Sequence, residues 1–334
     1  MLIGYYNPYS SATFLDFFTT LLKRVGSWIT GHALEMASDE IQLAVLTLVA
    51  ISCALVGTFL VLRKMTMLAN ALSHTILLGI VAAYIILMNF VAVENPEEAF
   101  NVPFLIIAAL CTGLLTTFLT EFLSKVIKLQ EDASIGLVFT TLFALGVILV
   151  TLFTRNVHIG TEIVMGNVDA LKKSDIQIAV SVLLINMIFF TLFFKEFKIS
   201  TFDSNLSKAL GISPIFFNYL LMVLASLTTV GAFRAVGVLM VLALITGPVL
   251  TARLFTHRLG TLLALSSLVG FLASLFGVAL SRHFLTVYHL PLSTGGVVVT
   301  VIVFFYLLAI VFSPYKGLIK RSFYYRKFQL MHKK

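Results

Sequence analysis

Nine stretches of this sequence are each apolar for about the length of a bilayer crossing, and no other feature restricts the possible folds so severely. They lie near residues 41–62, 66–89, 103–124, 134–153, 174–194, 215–232, 235–254, 260–281 and 292–313. A helix needs about 20 predominantly apolar residues to cross the hydrocarbon core. A strand with open edges would leave backbone groups unpaired there. The chain is therefore predicted to be an all-α, polytopic integral membrane protein with about nine transmembrane helices. Composition agrees: of 334 residues, 59% are hydrophobic and 11% charged, against about 25% charged in a soluble domain. A soluble chain of this length has too much surface to hide that apolar mass. A secreted toxin, a cytosolic enzyme and a nucleic-acid-binding domain all fit this sequence poorly. Cys53 and Cys111 both sit inside apolar runs and read as packing residues, with neither a disulfide framework nor zinc-ligand spacing.

The formal charge of +8 acquires meaning from its distribution. If the end of the first span, at Arg63 and Lys64, faces the cytoplasm, sixteen of the 23 lysines and arginines fall on that side, including those of the tail at 314–334. Basic residues accumulate in cytoplasmic connections. The expectation is an odd number of spans in a bacterial inner membrane, with the N-terminus outside and a basic cytoplasmic tail. The excess is thus a signal of topology and of attraction to anionic lipid, with no nucleic-acid partner implied. The opposite loop near 90–102 is acidic, through Glu94, Glu97 and Glu98.

Residues 1–40 stand apart from the span domain at 41–313. Phe14, Phe17, Phe18, Leu21, Leu22, Val25 and Trp28 recur at helical spacing, with Asp16, Lys23 and Arg24 on the other face. Thr13 with Asp16 three residues later is a helix-start signal. Two readings fit: an amphipathic helix in the membrane interface, or an elbow into the first span. The segment lacks a basic start and Asp16 interrupts its apolar part, so it does not read as a cleavable signal peptide.

The polar residues are few. There is no phosphate-binding Gly-x-x-x-x-Gly-Lys-Ser/Thr loop, no His-Glu-x-x-His pair, and no Asp or Glu in the middle of a span. Proton-coupled carriers usually place such a carboxylate in the membrane. The second span opens on Asn70-Ala71-Leu72-Ser73-His74. Asn70 and His74, four residues apart, project from one helical face. An imidazole suits a divalent transition metal and an amide oxygen is a weaker ligand. Spacing alone is better explained by interhelical hydrogen bonding. In the connections, His158 and Glu162, with Asp169, His283 and His289, read as solvated loop residues before a cation-attracting vestibule.

Between the fifth and sixth spans runs Phe202-Asp203-Ser204-Asn205-Leu206-Ser207-Lys208-Ala209-Leu210-Gly211-Ile212-Ser213-Pro214. Asp203 can cap a short helix, Gly211 can end it and Pro214 prevents its continuation. Leu206 and Leu210 then share a face. Such a helix is either a connector or a knob for a soluble partner. Gly247-Pro248, inside the seventh segment, predicts a kink.

Taken together these residues resemble the permease family of bacterial ABC importers for manganese, zinc and iron. The resemblance runs from about residue 41 to about 312. It is carried by Val56-Gly57-Thr58-Phe59-Leu60-Val61-Leu62-Arg63-Lys64-Met65, Ala71-Leu72-Ser73-His74 and Glu131-Asp132-Ala133-Ser134-Ile135-Gly136. Further along it rests on Phe202 to Gly211, Val236-Gly237-Val238-Leu239 and Gly247-Pro248-Val249-Leu250-Thr251-Ala252-Arg253. It implies a non-enzymatic permease that binds no cofactor and passes a divalent metal by alternating access. It also implies a second permease subunit (a paralogue or another copy), cytoplasmic ABC ATPase subunits and an extracytoplasmic metal-binding lipoprotein. Asp203, Leu206, Ala209, Leu210 and Gly211 would form the ATPase-coupling helix, Asn70 and His74 a transient metal site in the pore, and Gly247 with Pro248 a gating bend. Asn70 stands where the family usually has Asp, and Leu78 where it usually has Pro. A carboxylate from the partner permease would then compensate the metal's charge. Two alternatives remain: a permease for a chelated metal of the siderophore or cobalamin type, and an ion-coupled carrier that works without an ATPase. Arg63 and Arg253 would contact the ATPase or anchor in headgroups.

Overall fold

A computed structural model of the chain describes residues 7–30, 35–86, 102–153 and 168–313. The acidic 90–102 loop up to residue 101, His158, Glu162 and the basic tail lie outside these residues. The described chain is helical. In order it forms α1 (Phe14–Ile29), α2 (Ser38–Leu62), α3 (Thr66–Ile86), α4 (Val102–Lys125) and α5 (Glu131–Phe153), then a 3₁₀ turn at Val168–Ala170. There follow α6 (Lys173–Leu192), α7 (Phe194–Phe202), α8 (Ser204–Ala209), α9 (Pro214–Arg253), α10 (Leu259–Tyr288) and α11 (Thr294–Phe312). Seven helical segments among the described residues are long and apolar enough to cross a membrane, and Met240–Arg253 is a shorter apolar one. Each of the nine predicted segments falls on a helix, with α4 on the third.

α2 is the central post. It packs against α9, α10 and α6, and its residues from Ser52 to Val61 are all buried. Gly57 lets α9 approach so closely that an added Cβ would lie 2.0 Å from the Ile245 carbonyl oxygen. Thr58 and Ser266 meet at 3.3 Å and Arg282 reaches Asp39 at 2.7 Å, so α10 runs antiparallel to α2.

The sixth and seventh predicted spans are joined without a loop. Gly237, at φ 73° and ψ 168°, is not helical and divides α9 into two helical limbs. Asn218, near the start, bonds Arg63 at one end of the bundle. Leu254, just past the finish, accepts from Ser313, which follows α11 at that same end. The chain therefore doubles back around Gly237, where only glycine adopts a positive φ without strain. Gly247 and Pro248 keep helical dihedrals; the backbone departure in α9 lies at Gly237.

α1 rests against the bundle. The Phe14 and Phe18 rings meet Phe276 of α10 at 6.2 and 5.9 Å. Its opposite face, with Leu15 and Leu22, is exposed. The helix start has the expected chemistry, with the Thr13 hydroxyl donating to Asp16 at 2.5 Å. α1 is thus packed along one side against α10. His283 is also placed differently from its reading as a loop residue. It lies within α10, which extends to Tyr288, and its ring faces Phe14 at 6.5 Å.

Candidate functional site

The polar residues singled out from the sequence occupy two separate places, one inside the bundle and one at the end marked by Arg63. Inside, Asn70 and His74 lie on α3, a 21-residue helix packed between α4 and α5. The imidazole is half-buried and is flanked by Phe139 at 5.3 Å and Phe143 at 5.4 Å, both from α5. The two rings hold it against α5 and limit its rotation. At the next residue of α3, Thr116 of α4 donates to Thr75 at 3.0 Å. Gly79 meets the Thr112 hydroxyl so closely that a Cβ would lie 2.0 Å from it. α3 is thus fastened along its α4 face. Among the described residues no group of three or more His, Cys, Asp or Glu could hold a metal ion. One imidazole and one amide can therefore provide part of a coordination shell, and a complete one would need further donors.

At the other place, α8 is built by its caps. Asp203 Oδ1 accepts from the Asn205 and Leu206 backbone N–H groups at 3.0 and 2.9 Å. At the far end Ile212 N–H donates to the Ser207 carbonyl and Gly211 N–H to that of Lys208, with Gly211 at φ 76°. These are the two bonds of a Schellman stop, for which glycine is the natural left-handed residue. The Ser213 hydroxyl then caps α9, which begins on Pro214. The expected helix from Asp203 to Gly211 is present and terminated on both sides. Leu206 and Leu210 are 49% and 57% exposed, and Phe202 and Phe216 project nearby in the chain, at 61% and 56%. A short capped helix with an apolar face has no packing reason to expose it, unless another surface covers it.

Below this knob the structure places residues that the sequence did not single out. Phe197 of α7 is fully buried. Its ring lies 5.4 Å from Phe59, 5.2 Å from Phe190 and 5.2 Å from Phe217. Beside it the Arg63 guanidinium donates to Ser200 Oγ at 2.8 Å, Thr201 Oγ1 at 3.0 Å and Asn218 Oδ1 at 3.3 Å. Burial pulls this guanidinium down to about 10, so it is still charged at neutral pH. Asn218 Nδ2 passes the link to Glu121 Oε1 of α4 at 3.0 Å, and Lys125 donates to the same oxygen at 2.9 Å. Arg63 thus neither faces away from the protein nor stands free; it ties the α7–α8 pair to the spans. Serine, threonine and asparagine are common in any helical protein, so no sequence signal marked these partners.

The chain matches the ABC 3 transport family over residues 39–313. It is 38% identical over 289 residues to the manganese transport system membrane protein MntD of Bacillus subtilis, covering 82% of this chain and 92% of that one. It is 36% identical over 308 residues to the zinc transport system membrane protein TroD of Treponema pallidum, covering 88% and 79%. Among solved structures it resembles PsaBC from Streptococcus pneumoniae, determined in complex with a Fab, with a TM-score of 0.72, 25% identity, and coverage of 90% of this chain and 99% of that one.

Proposed function

The chain belongs to the ABC 3 transport family, and on that footing we propose that it is the permease subunit of an ATP-driven importer for a divalent transition metal, manganese, iron or zinc. Its Arg63 end faces the cytoplasm, in keeping with the sixteen basic residues assigned to that side. The observation that carries the reading is α8: a helix capped by Asp203, stopped by Gly211 and presenting exposed Leu206 and Leu210. It has the form of a knob for a groove on a cytoplasmic ATPase. ATP-driven closure of two such subunits moves the knobs and switches the pore between outward and inward access. ATP chemistry belongs to the ATPase, and this chain supplies the path.

Asn70 and His74 line that path. The incomplete donor set suits a pore formed with a second permease, which contributes a carboxylate to the passing ion. Transient, incomplete coordination also suits transport, because an ion held too well does not leave. An extracytoplasmic lipoprotein delivers the metal and contributes to its selection. His74, packed against Phe139 and Phe143, offers a single imidazole, a donor for a bare ion and not a surface for a bulky chelate. Manganese-54 and zinc-65 uptake, measured in cells with ATP depleted and a membrane potential imposed, tests the reading. Uptake should stop. Uptake that continues would identify an ion-coupled carrier, as would a solubilised protein that brings no ATPase with it.

A further inference from the structure

Two kinds of contact join the α7–α8 pair to the rest of the molecule, and they differ in what they can transmit. Phe197 sits among Phe59, Phe190 and Phe217. Ring contacts of this type tolerate sliding, because dispersion has little directional preference. The Arg63 guanidinium makes directed bonds. Three of its nitrogens each take a different acceptor, two on α7 (Ser200 and Thr201) and one on α9 (Asn218). Asn218 is itself a two-sided link. Its oxygen receives Arg63 and its amide nitrogen donates to Glu121 of α4. Tyr219, the next residue of α9, also hydrogen-bonds that carboxylate. A displacement of α8 acts at Asp203, which both ends α7 and caps α8. It reaches α9 along the short link at 210–213, and reaches α2 and, through Asn218, α4 by way of one planar cation.

We propose that Arg63 is the positioning residue that transmits movement of the α7–α8 pair to the transmembrane helices, so that ATP hydrolysis and metal movement stay in step. This rests on the reading of the chain as an ATP-driven permease. A lysine at this position keeps the charge but offers a point donor in place of the fork, and can satisfy the bonds only in part. A glutamine keeps polarity and loses both the charge and the reach.

The test uses the assembled transporter in proteoliposomes, with manganese alone as the transported probe. ATP hydrolysis and manganese uptake are measured on the same preparation for wild type, Arg63→Lys and Arg63→Gln. Arg258→Gln, at the exposed start of α10, serves as the control for loss of a basic residue at the same end. The expected result is that Arg63→Gln assembles and hydrolyses ATP, but the manganese moved per ATP falls at least about tenfold, the scale of losing charge-assisted hydrogen bonds. Arg63→Lys should recover part of that ratio and Arg258→Gln should leave it unchanged. An unchanged ratio in Arg63→Gln overturns the proposal. So does failure of Arg63→Gln to assemble with the ATPase, which would make Arg63 a purely structural brace. A wild-type preparation whose uptake ignores ATP would instead refute the underlying permease reading.

Discussion

Arg24 of α1 forms an ion pair with Glu40 in the first turn of α2, and the same carboxylate accepts the Tyr9 hydroxyl at 3.0 Å and the Ala37 backbone N–H at 2.8 Å. One side chain thereby caps α2 and receives the segment that precedes it. The neighbouring Asp39 is held in the same way, by Arg282 at 2.7 Å and Asn7 at 2.7 Å. Truncating Arg24→Ala leaves a carboxylate that is 3% exposed with neutral donors only. Removing one partner of a buried pair costs about 3–5 kcal/mol. Arg24→Ala should lower the detergent-micelle melting temperature measured by circular dichroism, and adding Glu40→Gln should restore part of it. Equal melting of Arg24→Ala and wild type would show that the pair does not hold α1.

The Tyr9 contribution has a pH signature. Burial first, then the Glu40 carboxylate, push the phenol up from its ordinary value. A group whose pKa is raised by folding stabilises fully below its unfolded pKa and loses that contribution as pH rises through the folded one. For Tyr9 the contribution is complete at neutral pH and declines only above about pH 10. Melting temperatures of wild type and Tyr9→Phe should therefore differ by a constant amount from pH 6 to pH 9, and converge at more alkaline pH. A difference that changes between pH 6 and pH 9 would contradict the assignment.

Two glycines of the apolar helices should respond oppositely to the same substitution. A Cβ on Gly57 would lie 2.0 Å from the Ile245 carbonyl, whereas one on Gly136 would meet nothing within 4 Å. Gly57→Ala must push α2 and α9 apart, at about 1–3 kcal/mol for overpacking. Gly136→Ala should stabilise by about 0.5–1 kcal/mol, the helix-interior preference for alanine. Thermal melts of the two variants decide this directly.

On the exposed knob, Leu206→Asp changes a surface side chain and leaves the caps of α8 intact. It should reduce recovery of the ATPase with the solubilised protein and leave the unfolding free energy within about 0.5 kcal/mol of wild type, as for ordinary surface substitutions. Gly211→Ala, forced to φ 76°, should cost about 1–2 kcal/mol through backbone strain and weaken the same association by misplacing Leu210. Full ATPase recovery with Leu206→Asp would remove α8 from the docking surface.

Within the bundle, His74→Ala should cut manganese uptake at least about tenfold, the lower bound for losses seen when metal-site groups are changed. His74→Gln should retain more, and Asn70→Asp should retain or raise uptake by supplying a charged oxygen. Immunoblotting for equal protein amounts must accompany the isotope assay. Full uptake with His74→Ala would exclude the residue from the path.

The helical, membrane-spanning architecture was legible because it follows from length and hydropathy alone: lipid permits a chain this apolar few other solutions. The caps of α8 were legible for a related reason. Asp203 acts through its side chain and Gly211 and Pro214 through their own backbones, all within a few residues of where they stand. Gly237 was visible only as one residue of the Val236-Gly237-Val238-Leu239 run near the start of the seventh apolar stretch. That the chain reverses on it, with a helical limb on either side, depends on how both limbs pack against α2. His283 was misread for a similar reason, since α10 continues past the apolar window and α1 covers it.

The partners of Arg63 show where local reading ends. An arginine closing an apolar run is compatible with headgroups, a partner protein or an internal brace, and its neighbours in sequence do not distinguish them. Ser200, Thr201 and Asn218 lie more than a hundred positions away. Their hydroxyl and amide groups carry no pattern of their own. Periodicity and capping are short-range, encoded within a turn or two of helix, so they were readable along the chain. Which cation meets which acceptor is set by the crossing of α2, α7 and α9, and that exists only once the apolar faces have packed.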